Sequence, residues 1–566
     1  MQIDAMIRKA VAHALSEAGV PVAEGEIVLE RPTEFAHGDY ATGAALAYAK
    51  KAGKAPRSLA EAIVAALGTI PGVAKMEIAG PGFINFHLAP TEVNKVLGET
   101  IASPETWGRN DSQKDKPSAV ALRARRVMIE YTDPNPFKEF HIGHLMSNAI
   151  GESIARLIEY TGAEVKRANY QGDVGPHVAK AIWGIRKLGV DPHDASALGK
   201  AYAAGAAVYE SDPAAKQEIE EINAKVYDRS DAQIHELYVA GREASLKHFE
   251  EIYKILGTKF DYYFFESDTA KKGIELVQAH PEVFEKSDGA LVYKGEKVGL
   301  HTRVFITSKG LPTYETKDLG LAEMKAEAWP FDLSITVTAH EQAGYFQVML
   351  AAMKEISPEI AAKIKHVSHG MMRLASGKMS SRTGDVITGE SLLAELTEAA
   401  KARATESRAG DPEVLAQQVA VAAIKYQILK QGSGKDIIFD RERALSLEGD
   451  SGPYLQYAHA RAAQVVERAR SEKVVAKINT IAEPIELTRL LVHFPEAVEY
   501  AVHELEPHLL TNYLIELAGA FNSWYAQVHI LDGTLEAPHK VAIADAVRAT
   551  LKNGLWLLGI PTPSKM

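Results

Sequence analysis

The stretch from residue 126 to residue 162 constrains this chain most, because it predicts a buried strand, a sharp turn and a helix in direct succession. Residues 126–131, RVMIEY, form a short apolar run typical of a buried strand. Pro134 and Pro136 prevent a helix from starting before the turn is complete. Apolar residues then recur at helical spacing from Leu145 as far as Gly162. The turn therefore presents backbone N–H groups at the positive end of a helix, which suits a phosphate.

Two histidines lie at the start of this predicted helix. His141 and His144 are three positions apart, so both rings can face one triphosphate as hydrogen-bond donors. Gly143 between them has no side chain, so a flat base could approach the backbone there. Two histidines at a helix start are often simple capping or surface groups, and the spacing alone does not separate these alternatives.

Strand and helix patterns alternate after residue 126, which predicts a parallel sheet with crossover helices. A second strand is predicted at 164–173, and strand patterns return at 303–307 and 333–337. Ligands of such sheets gather at the carboxyl ends of the strands. Long amphipathic helices interrupt the alternation between about 185 and 300, which indicates an insertion.

The patterns on either side of the sheet differ, which predicts three units. The fold class is α/β, with a Rossmann-like parallel-sheet core at 119–389 that contains the helical insertion. An N-terminal α+β domain is expected at 1–105, before a polar linker at 110–118. A C-terminal all-α helical bundle is expected at 390–566.

Two further strings hold candidate functional groups. Tyr314 and Asp318 are four positions apart and would share one face of a helix, although such a pair is commonly a packed ring above a solvated carboxylate. Residues 377–384, GKMSSRTG, form a glycine-bounded basic loop that could equally be a solvated turn.

Composition excludes several classes of protein. The 566 residues carry no cysteine, so disulfides and thiolate zinc sites are excluded. The net charge of −11 argues against a generally basic nucleic-acid binder, but positive charge can be concentrated in one groove. No apolar run approaches the roughly 20 residues of a membrane span. The N-terminus lacks the pattern of a signal peptide, so a cytoplasmic location is expected.

The run at 130–144, EYTDPNPFKEFHIGH, resembles the His-Ile-Gly-His signature of class I aminoacyl-tRNA synthetases in its arginyl-tRNA synthetase form. Strings typical of the same family follow the same order along the chain: GDY at 38–40, GKMSSRTG at 377–384, and the stretches at 439–461 and 504–525. The loop at 377–384 resembles the Lys-Met-Ser-Lys-Ser loop, with Ser381 in place of the second lysine.

The resemblance implies roles for individual residues. Lys138 is expected to supply the charge that the loop has lost, and with His141, His144 and Lys378 it would form the catalytic set. The implied ATP contacts are His141, Gly143, His144, Lys378, Met379, Ser380, Ser381 and Arg382. The implied arginine contacts are Glu130 and Asn135 for the amino-acid end, Tyr314 and Asp318 for the guanidinium, and Gln342 as an addition.

The resemblance also implies the reaction and its partners. Arginine would be activated by ATP with Mg²⁺ to arginyl-adenylate and pyrophosphate, and then transferred to the 3′ end of tRNA(Arg). No zinc and no membrane are expected, and a monomer is expected. Anticodon contacts are expected from Tyr454, Tyr457, His459 and Arg461. Two alternatives stay open: a class I synthetase for another amino acid, and a non-catalytic tRNA-binding paralogue.

Overall fold

The computed structural model describes residues 3–108, 125–375, 388–403 and 411–566. The predicted linker at 110–118 and the basic loop at 377–384 therefore lie outside the described residues. Among the described residues, no helix combines the length and the apolar character that crossing a membrane requires.

The N-terminal unit is an α+β module, as predicted. Its elements are α1 (Ile3–Glu17), β1 (Tyr40–Thr42), α2 (Ala44–Ala52), α3 (Pro56–Leu67), β2 (Val73–Ala79), β3 (Phe83–Leu88) and α4 (Pro90–Ala102), with 3₁₀ turns at Glu24–Glu26 and Phe35–His37. The sheet is antiparallel, with β3 between β1 and β2. Ile7 of α1 and Ile63 of α3 are fully buried and belong to the same core as Phe86 of β3.

A five-stranded parallel sheet forms the centre of the second unit, as predicted. Its elements are β4 (Arg126–Glu130), α5 (Ile142–Tyr160), β5 (Glu164–Gln171), α6 (Pro176–Leu188), α7 (Ala195–Tyr209), α8 (Pro213–Asp228), α9 (Ala232–Leu256), β6 (Tyr262–Phe265), α10 (Glu266–Ala279), β7 (Glu285–Ser287), β8 (Ala290–Tyr293), β9 (Arg303–Ile306), α11 (Tyr314–Ala328), β10 (Leu333–Ala339), α12 (Ala343–Ile356), α13 (Pro358–Ala361), β11 (Ile364–His369) and β12 (Met372–Leu374), with 3₁₀ turns at Gly295–Val298 and His340–Gln342. The strand order is β11-β10-β4-β5-β6, so β4 lies in the middle. Val127 and Met128 are fully buried because helices cover both faces of the sheet.

The strand at Arg303–Ile306 does not return to the parallel sheet, and this part of the prediction is wrong. It pairs antiparallel with β8 in a separate sheet of β7, β8 and β9. The range predicted as an insertion also contains Tyr262–Phe265, which pairs with β5 at the edge of the parallel sheet. An apolar run of four residues carries no information about which sheet it joins, because its partners lie elsewhere in the chain.

The C-terminal unit is almost wholly helical, as predicted. Its elements are α14 (Gly389–Arg403), α15 (Pro412–Leu429), β13 (Ile437–Phe439), α16 (Arg441–Ala444), α17 (Gly452–Ser471), α18 (Glu486–Val492), α19 (Phe494–Glu504), α20 (Pro507–Gln527) and α21 (Ala537–Leu557). The helix α21 packs against α17, against α4 of the N-terminal unit and against α5 of the sheet unit. The C-terminal bundle is therefore in direct contact with the helix that carries the two histidines.

Residues 38–40, GDY, join the N-terminal unit to the C-terminal bundle. Arg489 donates to both carboxylate oxygens of Asp39, at 2.7 and 2.5 Å. The Tyr40 hydroxyl donates to Glu496. Asp39 and Tyr40 are buried, so these side chains hold two domains together.

Candidate functional site

The turn after β4 contains three non-glycine residues in the left-handed region. Their φ angles are 81° at Thr132, 46° at Asp133 and 68° at Phe137. Such a backbone is unfavourable for these residue types and persists where neighbouring groups hold it. The Thr132 N–H donates to Ser147 Oγ at 2.9 Å, and Ser147 Oγ donates to the Val337 carbonyl at 2.8 Å. Strain of this kind concentrates at functional sites, so this turn is a candidate for one.

His141 and His144 lie together at the start of α5. Their rings are stacked, with centroids 3.5 Å apart, and the His141 N–H donates to His144 Nδ1 at 3.2 Å. Burial and then the nearby Lys138 lower the pKa of His141 to about 4. Burial and then His141 and Lys138 lower the pKa of His144 well below its usual value. Both imidazoles are therefore neutral near pH 7, and they can donate hydrogen bonds without bringing charge.

Lys138 lies between these histidines and the helices of the inserted region. Its Nζ is 4.9 Å from the ring centroid of Tyr202 on α7. Because the two histidines are neutral, the Lys138 ammonium supplies positive charge beside them.

Five carboxyl groups lie around the carboxyl ends of β4 and β5: Glu130, Glu266, Asp318 and Asp173 are buried, and Asp133 is partly buried. Asp173 pairs with Arg242 Nε at 2.9 Å. Two of them have lysine partners: Lys325 Nζ lies 2.8 Å from Glu130 Oε2, and Lys317 Nζ lies 2.5 Å from Glu266 Oε2. Lys317 and Lys325 both belong to α11, on either side of Asp318. The helix therefore brings two cations and an acid into one buried region.

The other two carboxyl groups, Asp318 and Asp133, have raised pKa values. Burial, followed by the charges of Glu130 and Glu266, raises the pKa of Asp318 well above its usual value. Burial and then Glu130 raise the pKa of Asp133 in the same way. The five acids thus outnumber the three bases Lys317, Lys325 and Arg242. A cationic guest would favour the ionised form of both carboxyl groups.

Tyr314 and Gln342 lie at the mouth of this region. Tyr314 is the first residue of α11, and the residue is 63% exposed. The Tyr345 hydroxyl donates to Gln342 Oε1 at 3.3 Å, and burial, followed by the charge of Asp318, raises the pKa of Tyr345. Tyr345 therefore lies close to both Gln342 and Asp318, and the ring centroids of Tyr314 and Tyr345 are 6.5 Å apart.

Asn135 reaches the carboxyl end of β5. A Cβ atom at Gly172 would overlap Asn135 Oδ1 and would lie 3.3 Å from Glu266 Oε1. The glycine therefore allows the turn after β4 and the end of β5 to approach closely. The structure thus places Asn135 beside the buried carboxyl groups and brings Glu130 into the same region.

Several of these residues were missed by the sequence analysis, namely Asp133, Glu266, Lys317, Lys325 and Tyr345. Helical spacing could have found one of them. Lys325 follows Tyr314 by eleven positions and Asp318 by seven, so all three lie on one face of a helix. The sequence around Glu266 contains no such signal, because its partner Lys317 is 51 residues away in the chain.

The second predicted motif, with Lys378, Met379, Ser380, Ser381 and Arg382, lies outside the described residues. The chain that follows it is described from Thr388 onwards. Thr388 forms an isolated bridge with His141, and the Gly389 N–H donates to the Phe140 carbonyl at 2.7 Å. Thr388, the first residue described after the segment at 377–384, therefore lies beside the histidine turn.

The predicted anticodon residues lie on α17, with differing exposure. The Arg461 guanidinium lies between the rings of Tyr457 and Tyr525, at 4.5 and 4.7 Å from their centroids. Tyr454 lies one helical turn before Tyr457 and is partly buried. His459 is 4% exposed and bonds to the Pro563 carbonyl at 3.1 Å, so it fastens the terminal segment to α17.

Three known domain families match successive parts of the chain. Residues 111–441 match the family described as tRNA synthetases class I (R), catalytic domain. Residues 455–566 match the DALR anticodon binding domain, and residues 5–88 match the arginyl tRNA synthetase N terminal domain.

Individual relatives extend over nearly the whole chain. The arginine–tRNA ligase of Streptococcus pyogenes serotype M28 is 32% identical over 551 residues, which cover 95% of this chain and 96% of that one. The arginine–tRNA ligase of Limosilactobacillus reuteri is 31% identical over 573 residues, which cover 99% of both chains. The solved Thermus thermophilus arginyl-tRNA synthetase covers 99% of both chains with a TM-score of 0.80 and 27% identity. The Plasmodium falciparum structure has a TM-score of 0.77 at 20% identity, covers 99% of this chain and 98% of that one, and shows the shared fold. The chain therefore belongs to the arginyl-tRNA synthetase family of class I tRNA synthetases.

Proposed function

We propose that the chain is an arginine–tRNA ligase, in which the region around Glu130 and Asp318 binds L-arginine and the turn at His141 binds ATP. The observation that carries this proposal is the excess of buried carboxyl groups beside a helix N-terminus with two neutral histidines. The acids suit a cationic substrate, and the helix N-terminus suits a phosphate.

Arginine would enter with its guanidinium towards Asp318. A carboxylate receives a guanidinium through two parallel hydrogen bonds, and an aromatic ring can stack on its plane. Asp318 and the exposed ring of Tyr314 would supply these contacts, with Gln342 at the mouth. Glu130 would meet the α-ammonium, and Asn135 would donate to the α-carboxylate. Binding would bring a positive charge to acids whose pKa values burial has raised.

ATP would bind with its phosphates at the start of α5. His141 and His144 would donate hydrogen bonds to the triphosphate, and Gly143 would leave room for the adenine. Lys138 and Lys378 would balance the charge of the pyrophosphate leaving group. Contacts from Met379, Ser380, Ser381 and Arg382 remain sequence predictions. Mg²⁺ would arrive with ATP as part of the substrate, and no zinc is expected.

The first reaction needs no protein nucleophile. A carboxylate oxygen of arginine attacks the α-phosphorus of ATP, the bond from that phosphorus to the β-phosphate oxygen breaks, and pyrophosphate leaves. The protein contributes alignment of the two substrates and stabilisation of the developing charge. A ribose hydroxyl at the 3′ end of tRNA(Arg) then attacks the carbonyl carbon of the adenylate, and AMP leaves.

The tRNA would be held by the C-terminal domain as well as at the active site. Arg461, held between the rings of Tyr457 and Tyr525, would form with Tyr457 a surface against which unstacked bases could pack. His459 would have to leave its buried position to do the same, so it lies outside the proposed interface. A monomeric state and a cytoplasmic location remain predictions.

The test is ATP–pyrophosphate exchange with each amino acid, with and without tRNA. Exchange with arginine supports the proposal. Exchange with a different amino acid would support another class I specificity. Binding of tRNA without any exchange would support a non-catalytic paralogue.

A further inference from the structure

One buried acid beside the proposed arginine region has no part in the proposed mechanism. Asp173 lies two residues after the end of β5 and is fully buried. Its Oδ1 accepts the Ser267 N–H at 2.8 Å. Its Oδ2 accepts the Ser267 hydroxyl at 2.8 Å, the Tyr238 hydroxyl at 2.9 Å and Arg242 Nε at 2.9 Å. Asp173 therefore joins the end of β5 to both α9 and α10.

The bonds to Ser267 cap α10. The first N–H groups of a helix have no partner within it, and a negative charge beside them is favourable. Phe265, the residue directly before α10, has an apolar side chain and makes no capping bond. Ser267 is the second residue of the helix, so Asp173 satisfies one of these N–H groups from a different element. The start of α10 is therefore fixed by a residue that is 94 positions away in the chain.

Asp173 also holds the residue before α10, through Arg242. The guanidinium carbon of Arg242 lies 3.9 Å from the ring centroid of Phe265. The same guanidinium donates to Asp173, so the carboxylate orients the cation over this ring. Both neighbours of Glu266 in the chain are thus held by Asp173, Ser267 directly and Phe265 through Arg242.

Glu266 is the first residue of α10, and its carboxylate belongs to the proposed arginine region. It is buried and bonds to Lys317 at 2.5 Å, and its charge contributes to the raised pKa of Asp318. A Cβ atom at Gly172 would lie 3.3 Å from Glu266 Oε1, so the carboxylate also lies close to the end of β5. The location of Glu266 therefore helps to set the arrangement of charge that a guanidinium would meet at Asp318.

The helices α10 and α11 approach each other closely at two glycines. A Cβ atom at Gly273 of α10 would overlap the Thr316 carbonyl, and a Cβ atom at Gly320 of α11 would overlap the Thr269 carbonyl. Interiors packed this closely transmit a displacement from one element to the next. A shift at the start of α10 would therefore reach α11, which carries Asp318.

We propose that Asp173 is a positioning residue for the arginine site, because it caps α10 and holds Arg242 over Phe265, so that Glu266 and Asp318 keep the spacing that receives a guanidinium. This inference rests on the proposed function, since it concerns how that same site is held in place. Asp173 is enclosed by its own partners and acts on arginine only through them. A misplacement of contact groups by about 1 Å is enough to cost about 100-fold in rate.

Two variants loosen this arrangement to different degrees. Asp173→Asn keeps the size of the side chain, but an amide has one acceptor oxygen and turns an NH₂ group towards some of the donors. Ser267→Ala removes the hydroxyl bond and leaves the backbone cap. Asp212→Asn is the matched control, because Asp212 caps α8 by accepting the Ala214 N–H at 2.9 Å and does not belong to the arginine region. Thermal unfolding checks that each variant is folded, and Ser267→Ala decides the inference if Asp173→Asn does not fold.

The first readout is arginine-dependent pyrophosphate exchange by the full chain with saturating tRNA(Arg). We expect Asp173→Asn to raise the KM for arginine about tenfold or more and Ser267→Ala to raise it about threefold, because each loses hydrogen bonds that involve a charged group. The KM for ATP should stay within about twofold of its value in the unmodified chain, and Asp212→Asn should change neither KM. An unchanged KM for arginine, or equal changes in both KM values, would overturn the inference.

The second readout separates misplaced carboxylates from a generally loosened site. Equilibrium binding gives the Kd of arginine and of citrulline, in which a neutral urea replaces the guanidinium, with tRNA(Arg) present and ATP absent. We expect Asp173→Asn to weaken the binding of arginine more than that of citrulline, since only arginine pairs with the carboxylates. Equal weakening of both ligands would show that Asp173 supports the fold alone. If the unmodified chain neither binds arginine nor exchanges pyrophosphate with it, the proposed function fails, and this inference fails with it.

Discussion

Lys325 Nζ donates to Glu130 Oε2 at 2.8 Å, and both side chains are 4% exposed. The bond joins α11 to the end of β4, the two elements that carry the proposed arginine contacts. The pair fixes the end of β4, which carries Glu130, against α11. Because Lys325 bonds to Glu130, it makes no such bond to Asp318 or Asp133.

Replacement of Lys325 by methionine should destabilise the chain strongly. Removing one partner leaves a buried charge uncompensated, which typically costs about 3–5 kcal/mol. Urea unfolding measures the cost, and adding Glu130→Gln should recover part of it. The matched control is Lys272→Met, which breaks the exposed pair with Glu327 and should cost less than about 1 kcal/mol. Equal costs at the two positions would contradict the importance given to the buried pair.

Replacement of Lys138 by alanine should slow arginine activation. Because the neighbouring histidines are neutral, loss of this ammonium removes charge stabilisation from the leaving group, and a rate loss of about 10²-fold is expected. The measurement is pyrophosphate exchange at saturating arginine and tRNA. Lys180→Ala is the control, since Lys180 Nζ lies 3.9 Å from the Tyr209 ring centroid, and it should leave the rate close to that of the unmodified chain. An unchanged rate in Lys138→Ala would remove Lys138 from the mechanism.

The fold was largely predictable around the histidine turn, because its signals are local. Two prolines, an apolar strand and a helical repeat occupy adjacent positions, and each acts within a few residues. The short strands at Tyr262–Phe265 and Arg303–Ile306 were harder to assign, since pairing decides which sheet a four-residue strand joins.

Site residues that belong to a local sequence motif were predictable. Site residues that are brought together by contacts between distant parts of the chain were not. Glu130 and Lys325 are 195 residues apart, and nothing local relates them. His459 illustrates the opposite error. Its neighbours Tyr457 and Arg461 suggested an exposed cluster, but the chain terminus packs over the histidine at Pro563.

The stability of the chain should depend on pH through Lys425. Its Nζ is buried and donates to the carbonyls of Leu256 and Gly559, at 2.7 and 2.9 Å. Burial, followed by the charge of Arg156, lowers the pKa of Lys425 to about 7. Above that pH the unfolded chain keeps a proton that the folded chain has lost. As the pH rises above about 7, Lys425 should therefore increase the free energy of unfolding by up to about 1.4 kcal/mol per pH unit. The increase should end at the usual pKa of lysine.

Comparison of the unmodified chain with Lys425→Met isolates this contribution. Urea unfolding between about pH 7 and about pH 9 should give a shallower rise of stability with pH in the variant. Below about pH 7 both states hold the proton, so the two proteins should then show the same pH dependence. If the free energy of unfolding changes with pH in the same way in both proteins over the whole range, the pKa of Lys425 is not lowered in the folded chain.

The measurement that tests the central claim most directly is pyrophosphate exchange with arginine and with citrulline, its neutral analogue, by the unmodified chain and by Asp318→Asn in the presence of tRNA(Arg). If buried acids select a cationic side chain, citrulline should support little exchange, and Asp318→Asn should raise the KM for arginine about 100-fold or more. Exchange with citrulline equal to that with arginine, or an unchanged KM in Asp318→Asn, would contradict the assignment of this region as the arginine site.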